Sequence, residues 1–442
     1  MTLRDDAIAI WQAGVDAVDS ARLVQNNVAV NDTTLKVGTD SISLDELDHI
    51  EVVGAGKAGA GMARGLLAAL ASRPQRITVS GWLDVPADCV EPLDGIHLHA
   101  ARPAGVNEPT PAGVAGTQEI IRRMSALGKR DLCIVLISGG GSALLTAPVP
   151  QISLDDKLAV TRTLAAAGAT IQELNIVRSQ LSLVKGGGLL LHAGETRVIT
   201  LIISDVIGDP PDIIASGPTV STQHNAATAL QVLRRHDPQG DKIPATVYQF
   251  LNNGGRQAIP PCSVSNQIIG SNRVALNAAA ASAKQLGYRV ISLGCDNQGE
   301  ASHLGRMFFT RLSQVRHEST DAVCVLAGGE TTVQLVDADQ PRKGGRNQEV
   351  VLAAIVAQPT LSAWNGIALL SGGTDGEDGP TNAAGAIADE ELVQRMQQQE
   401  LAPESYLAIN NAYAFFEQVD GLLLTGPTHT NVMDVAVGLV RR

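Results

Sequence analysis

The stretch His49–Leu66, HIEVVGAGKAGAGMARGL, decides the fold: an aliphatic run, then a glycine-rich turn, then small and apolar residues able to continue as a helix. Continuous aliphatic runs mark strands buried on both faces, and their alternation with helices marks βαβ units in a parallel sheet. The pattern returns at LCIVLISGGGSALL (132–145), VITLIISDVIGD (198–209), AVCVLAGGETT (322–332), GIALLSGGTDGEDG (366–379) and GLLLTGPTHTNVMDVAVGL (421–439). The expectation is an α/β chain with two α/β layers. Each glycine-rich turn then falls at the carboxyl end of a strand, where open sheets bind ligands.

The chain has 442 residues, enough for two or three domains at roughly 150 residues each. Its net charge of −12 and 3% aromatic content argue against a nucleic-acid partner, which needs clustered cations and stacking rings. The five cysteines show no CxxC spacing, so buried reduced thiols are expected. No apolar stretch is long enough to span a membrane. The amphipathic start, with Ile8, Trp11, Val15 and Val18 near helical spacing, reads as a surface helix rather than a signal peptide. A cytoplasmic protein is expected, and a homodimer is admissible.

A domain boundary is expected between about 225 and 265, since DKIPATVYQFLNNGGRQAIPPCS reads as a loop with closely spaced Pro and Gly. We place it at 240, giving domains 1–240 and 241–442. VDADQPRKGGRNQE reads as a mobile loop before a helix near Asn347.

The motifs point to anion chemistry. GAGKAG (54–59) matches GxGxxG, whose glycines Gly54 and Gly56 would admit a pyrophosphate at a helix start. A nicotinamide site also needs an acid near the end of the next strand, and RITVSGW offers only a late Asp84. Lys57 in this loop would face the crevice and suit a transferring phosphoryl group. Ser138, Gly139, Gly140, Gly141 and Ser142 would form an anion nest. Lys185, beside three glycines, is a further candidate contact.

Asp205 and Asp209 follow a strand; Asp205 would act as base or magnesium ligand, while Asp209 before Pro210 suits a turn. Further on, Glu330 ends a strand, Arg346 opens a helix, and Asp375, Glu377 and Asp378 share one loop. Glu377 and Asp378 read as solvated turn residues. His429 sits near a strand end, with a surface role as plausible as a ligand contact.

Taken in order, GAGKAG, SGGGSALL, KGGGL, SDVIGDPPDIIASGPT, GGETTV, GGRNQE, GGTDGEDGPTNAAG and TGPTHTNV resemble the class II glycerate 2-kinases, which carry a C-terminal MOFRL domain. The resemblance implies a Rossmann-like N-terminal parallel sheet with helices on both faces, plus a MOFRL-type α/β domain. It implies phosphoryl transfer from ATP, with Mg²⁺, to the 2-hydroxyl of D-glycerate in a cleft between domains. Lys57, Asp205 and Arg346 match the family's functional positions: Lys57 and Arg346 to neutralise the phosphoryl group, Asp205 to orient the hydroxyl or hold the metal. Members are often labelled hydroxypyruvate reductase, the alternative activity. This sequence departs from the pattern at Asn382, where Asp is common, and at His429 and Met433, where Gly and Asn are common.

Overall fold

The computed structural model describes residues 2–256, 264–337 and 339–442. Cys262 and Ala338 therefore lie outside the described residues, as does the end of the expected 241–263 loop. The chain divides into two compact units: residues up to Asp19 with Gly270–Arg442, and Ser20–Ile269.

The first helix, α1 (Leu3–Ala17), opens on a capping box between Thr2 and Asp5. It buries Ala7, Ile10, Trp11 and Val15 within the same unit as the C-terminal half. Trp11 Nε1 donates to Gly372 O at 3.2 Å, and Tyr288 Oη donates to Asp6 Oδ2 at 2.6 Å. The amphipathic face expected on a surface helix is thus a docking face for residues far away in sequence. The division expected at 240 falls inside Ser20–Ile269, because the chain continues building that unit past 240.

In Ser20–Ile269, α2 (Ser20–Asn27) leads into an antiparallel sheet of β1 (Val28–Val30), β2 (Thr34–Val37) and β3 (Asp40–Ser43). The main sheet follows, with β4 (His49–Ala55), β5 (Thr78–Pro86), β6 (Ile96–Arg102), β7 (Asp131–Ile137), β8 (Arg197–Ile203) and β9 (Val264–Gly270). Its order is β6-β5-β4-β7-β8-β9, and the pairs β4–β5, β4–β7, β5–β6 and β7–β8 are parallel. Numbered from β4, this is the doubly wound order 3-2-1-4-5-6, whose switch point lies between β4 and β7.

The intervening helices are α3 (Gly59–Ala69), α4 (Pro111–Ser125), α5 (Gly141–Leu144), α6 (Leu154–Ala166), α7 (Ile171–Gln180) and α8 (Ala226–His236). A further helix, α9 (Ala245–Asn252), occupies part of the stretch expected to be loop. Val247 and Leu251, four residues apart, put its apolar side into a core with Val232 and Leu233. The packed face outweighs the local Pro and Gly signal.

The strand cores are as apolar as their sequences: Val52, Val53, Leu132 to Leu136, Leu201 and Ile203 are buried. Each such side chain stabilises the fold by about 1.5–3 kcal/mol relative to exposure. Cys133 and Cys324 are buried within strands, and burial raises both thiols, Cys324 to about 12.

The other unit adds α10 (Asn272–Gln285), β10 (Arg289–Ser292), α11 (Ala301–Glu318), β11 (Val323–Gly329), α12 (Arg346–Ala357), β12 (Ile367–Gly373), β13 (Gly385–Asp389), β14 (Leu422–Leu423) and β15 (Asp434–Val440). Its order is β10-β11-β15-β12-β13-β14, and only β10–β11 pair in parallel. The α/β class holds, but a parallel sheet does not. β15 runs antiparallel between β11 and β12, pairing Gly329 and Gly373 on its two sides with Asp434. An apolar run reports burial on both faces and carries no sign of strand direction.

Candidate functional site

In Ser20–Ile269 the two glycine-rich loops meet at the switch point. Lys57 N donates to Gly139 O at 2.9 Å, and Ala58 N donates to Ser138 Oγ at 3.0 Å. Ser138 is buried, so its hydroxyl ties one loop to the other. Gly56 has φ +149°, and a Cβ there would collide with Ser138 Oγ. A Cβ at Gly54 would collide with Leu136 O. Both glycines therefore have a packing reason of their own: they let β4 and its loop approach β7.

The loop Gly139–Ser142 gathers the expected charges around it. A Cβ at Gly139 would strike Asp205 Oδ2; one at Gly140 would lie 3.6 Å from Lys57 Cγ and 3.0 Å from Arg102 Nη2. Asp205 and Lys57 thus border neighbouring residues of one loop, and Arg102 joins them. Gly141 N closes a turn onto Ser138 O at 3.2 Å, which commits one of the amides expected for an anion. Asp209 adopts the left-handed turn conformation, with φ +54°.

Beside this loop lies a cavity of about 470 Å³, lined among others by Gly140, Ser142, Lys157, Arg178, Lys185 and Asp205. Lys185 is fully buried: its Nζ donates to Ser142 O at 2.7 Å and contacts Ser142 Oγ at 2.8 Å. Ser142 Oγ in turn lies 2.9 Å from Ser216 Oγ. Burial, then Lys157 and Arg178, hold the Lys185 ammonium well below its usual range. The surface-lysine alternative does not apply to it.

Lys157 and Arg178 were absent from the sequence expectations. Lys157 follows a capping box on a helix of ordinary amphipathic composition, so nothing local distinguishes it from a solvated lysine. Arg178 left a weaker trace: it stands seven residues before Lys185 in VRSQLSLVKGGG.

In the other unit, Arg346 opens α12 and forks onto Asp434, with Nε–Oδ2 2.6 Å and Nη2–Oδ1 3.0 Å. Its Nη1 reaches Glu330 Oε1 at 2.9 Å. Burial alone would lower the guanidinium's pKa, but Asp434 and Glu330 overcome it and raise the value. Burial raises the Glu330 carboxyl against the pull of Arg346, and the nearby carboxylates of Asp434 and Asp375 add to the rise. The structure therefore brings Glu330, Arg346 and Asp375 together around Asp434, a residue missed in the sequence although it is the one charge in the run DVAVGLV.

Asp378 corrects an expectation. Rather than a solvated turn residue, it is buried and caps α12, accepting from Asn347 N at 3.0 Å and Gln348 N at 2.8 Å. Burial pushes its carboxyl up to about 7 against those two donors. Two departures noted in the last motif also find a setting: His429 and Met433 hold φ of +57° and +71°. Those left-handed positions suit Gly and Asn best.

Among the described residues, no group of three or more His, Cys, Asp or Glu is placed to hold a metal ion. No helix among them is long and apolar enough to cross a membrane.

Two family models match the chain: a domain of unknown function, DUF4147, over 6–252, and the MOFRL family over 323–434. The glycerate kinase of Danio rerio is 36% identical over 99% of this chain and 98% of its own, and the human glycerate kinase is 35% identical over 100% and 94%. An Agrobacterium vitis protein with the provisional name hydroxypyruvate reductase is 39% identical over 88% of this chain and 98% of its own. The crystal structure of glycerate kinase from Thermotoga maritima superposes with a TM-score of 0.84 at 29% identity, covering 99% of each chain. With both family domains in order and relatives matched along its whole length, the chain belongs to the glycerate kinase family, a family of kinase enzymes.

Proposed function

We propose that the protein transfers the γ-phosphoryl group of ATP to the 2-hydroxyl of D-glycerate, giving 2-phosphoglycerate. The observation that carries this reading is the arrangement at the switch point, where Lys57 and Asp205 border consecutive glycines of one loop. Phosphoryl transfer asks a protein mainly for positioning and charge stabilisation, and a cation and a carboxylate beside one glycine-rich loop supply both.

Lys57, with Arg102 beside it, is assigned to the phosphate charge. Asp205 is assigned to the glycerate hydroxyl, as the acceptor of its proton, or to a metal ion. A single carboxylate fits Mg²⁺ that arrives on nucleotide phosphates, since Mg²⁺ is usually held by one or two carboxylates plus substrate oxygens. The ion would supply neutralisation of phosphate charge. Gly139 and Gly140 keep their assignment at the phosphates, and Ser142 and Lys185 at the adjoining cavity. Arg346 is assigned to phosphate charge: its five-donor fork has capacity beyond three contacts, and Glu330 and Asp434 fix its plane.

The reductase alternative has a specific obstacle. Asp84, the acid at the end of β5, is fully buried and accepts from Trp82 Nε1 and Thr117 Oγ1, both at 3.2 Å. It is turned to the interior rather than to a ribose.

The test is incubation with ATP, Mg²⁺ and D-glycerate, followed by enolase without mutase. Phosphoenolpyruvate formation supports the 2-kinase reading. ADP release without phosphoenolpyruvate removes the 2-position, and NAD(P)H oxidation by hydroxypyruvate without ADP release removes the kinase reading.

A further inference from the structure

The cavity beside the Gly139–Ser142 loop has a charge imbalance that the catalytic assignments leave unused. Lys157 is 3% exposed, lines the cavity, and its Nζ has no hydrogen-bond partner among the described residues. Arg178 lines the same wall, as does Lys185, whose ammonium among the described residues is satisfied only by neutral oxygens of Ser142 and Ser216. Two acids also line the cavity. Glu108 is engaged by Arg162, with contacts of 3.1 and 2.6 Å, and Asp205 borders Gly139. Among the described residues, no carboxylate lies within ion-pair distance of Lys157, Arg178 or Lys185.

Burying an ammonium without a counter-charge is costly, and buried charges are normally paired. Here burial brings the Lys157 ammonium down to about 7, with Arg178 adding to the effect, so the site meets its cost in the absence of an anion by giving up protons. A bound oxyanion would supply the missing partner to all three groups and favour the charged form of the two lysines. The cavity is roomy enough for a three-carbon acid or a phosphate group, because small-molecule sites begin at about 300 Å³.

We propose that Lys157, Arg178 and Lys185 form an oxyanion subsite that holds a charged group of the reactants away from the reacting hydroxyl. Its occupant is the carboxylate of the hydroxy acid or a phosphate of the nucleotide. The subsite rests on the kinase reading for its place in the reaction, and on its own geometry for anion binding. Lys157 is a binding residue in it, not a participant in bond making.

The experiment compares the wild-type protein with Lys157→Met, which removes the ammonium and nearly keeps the volume, and with the partly exposed Arg178→Met as a second variant. Thermal melts are recorded alone, with D-glycerate, and with inorganic phosphate. The expected result is that at least one anion raises the wild-type midpoint, that Lys157→Met melts no lower than wild type without anion, and that its anion-dependent rise is lost. Should Lys157→Met fail to fold, Arg178→Met carries the same reading.

Kinetics then separate the two sources. A rise of about tenfold or more in KM for glycerate alone assigns the carboxylate, and the same rise for ATP alone assigns the phosphate. A wild-type protein whose melt ignores both anions, or a folded variant that responds to them as wild type does, overturns the subsite. Absence of glycerate-dependent turnover in the wild type would instead remove the proposed function, since the melts read anion binding without it.

Discussion

Arg346 and Asp434, 88 residues apart in sequence, form a two-bond fork at the start of α12 and β15. The pair exists because β15 enters the sheet antiparallel between β11 and β12, which places Asp434 beside both Gly329 and Gly373. Arg346 is thus a structural group as well as a candidate for catalysis.

That dual role predicts coupling. In a double-mutant cycle of Arg346→Ala and Asp434→Ala, followed by urea denaturation, we expect an interaction of about 1–3 kcal/mol, because either single change leaves a part-buried charge without its partner. Additive single effects would show the fork to be structurally idle.

Gly139 and Asp205 make a second pair. Gly139→Ala would drive a Cβ into Asp205 Oδ2, and a half-buried carboxylate on a flexible stem can move aside. The expected outcome is a fall in kcat of about 100-fold or more in Asp205→Ala, a comparable fall in Gly139→Ala, and no further loss in the double variant. Circular dichroism melts of all three should stay close to wild type. Independent, multiplying losses would separate Gly139 from Asp205.

The buried Asp84 predicts a pH dependence. Burial raises its carboxyl from 3.8 to about 8, against the donors Trp82 and Thr117. The native state therefore holds a proton that the unfolded state has released, so stability falls as pH rises from about 4 towards 8. Asp84→Asn removes this titration. Relative to wild type, the variant should gain stability progressively across that window, read from urea midpoints at each pH. A constant difference between the two proteins would place the titration elsewhere.

Glu400 follows the helix Glu390–Gln398 with φ +51° and is exposed. Leu401 N donates to Met396 O at 3.1 Å, the bond that closes a helix through a left-handed residue. Glu400→Gly should raise stability by about 0.5–1 kcal/mol, because relief of the left-handed conformation exceeds the added chain entropy of glycine. An unchanged or lower melting midpoint would contradict this.

The doubly wound sheet was legible because its central strands β4, β7 and β8 lie buried on both faces and run into glycine-rich or polar turns: HIEVV, LCIVLI and VITLII announce themselves without any partner in view. Lys57, Asp205 and the Gly139–Ser142 loop were legible for the same reason, since a strand end fixes where the next side chains must be. The antiparallel entry of β15, the docking of α1 on the C-terminal unit and the helix α9 were not, since apolar runs carry no direction and a local turn signal yields to a packed face.

By itself, the sequence determined an α/β chain, the order of its motifs and the strand ends at which charge would collect. Only the tertiary structure decided the state of each charge. It buried Asp378 as a helix cap, locked Arg346 to Asp434, and set Lys157 and Arg178 beside Lys185. Those outcomes depend on burial and on partners distant in the chain, and a side chain's charge and reach follow from its surroundings, not from its neighbours in sequence.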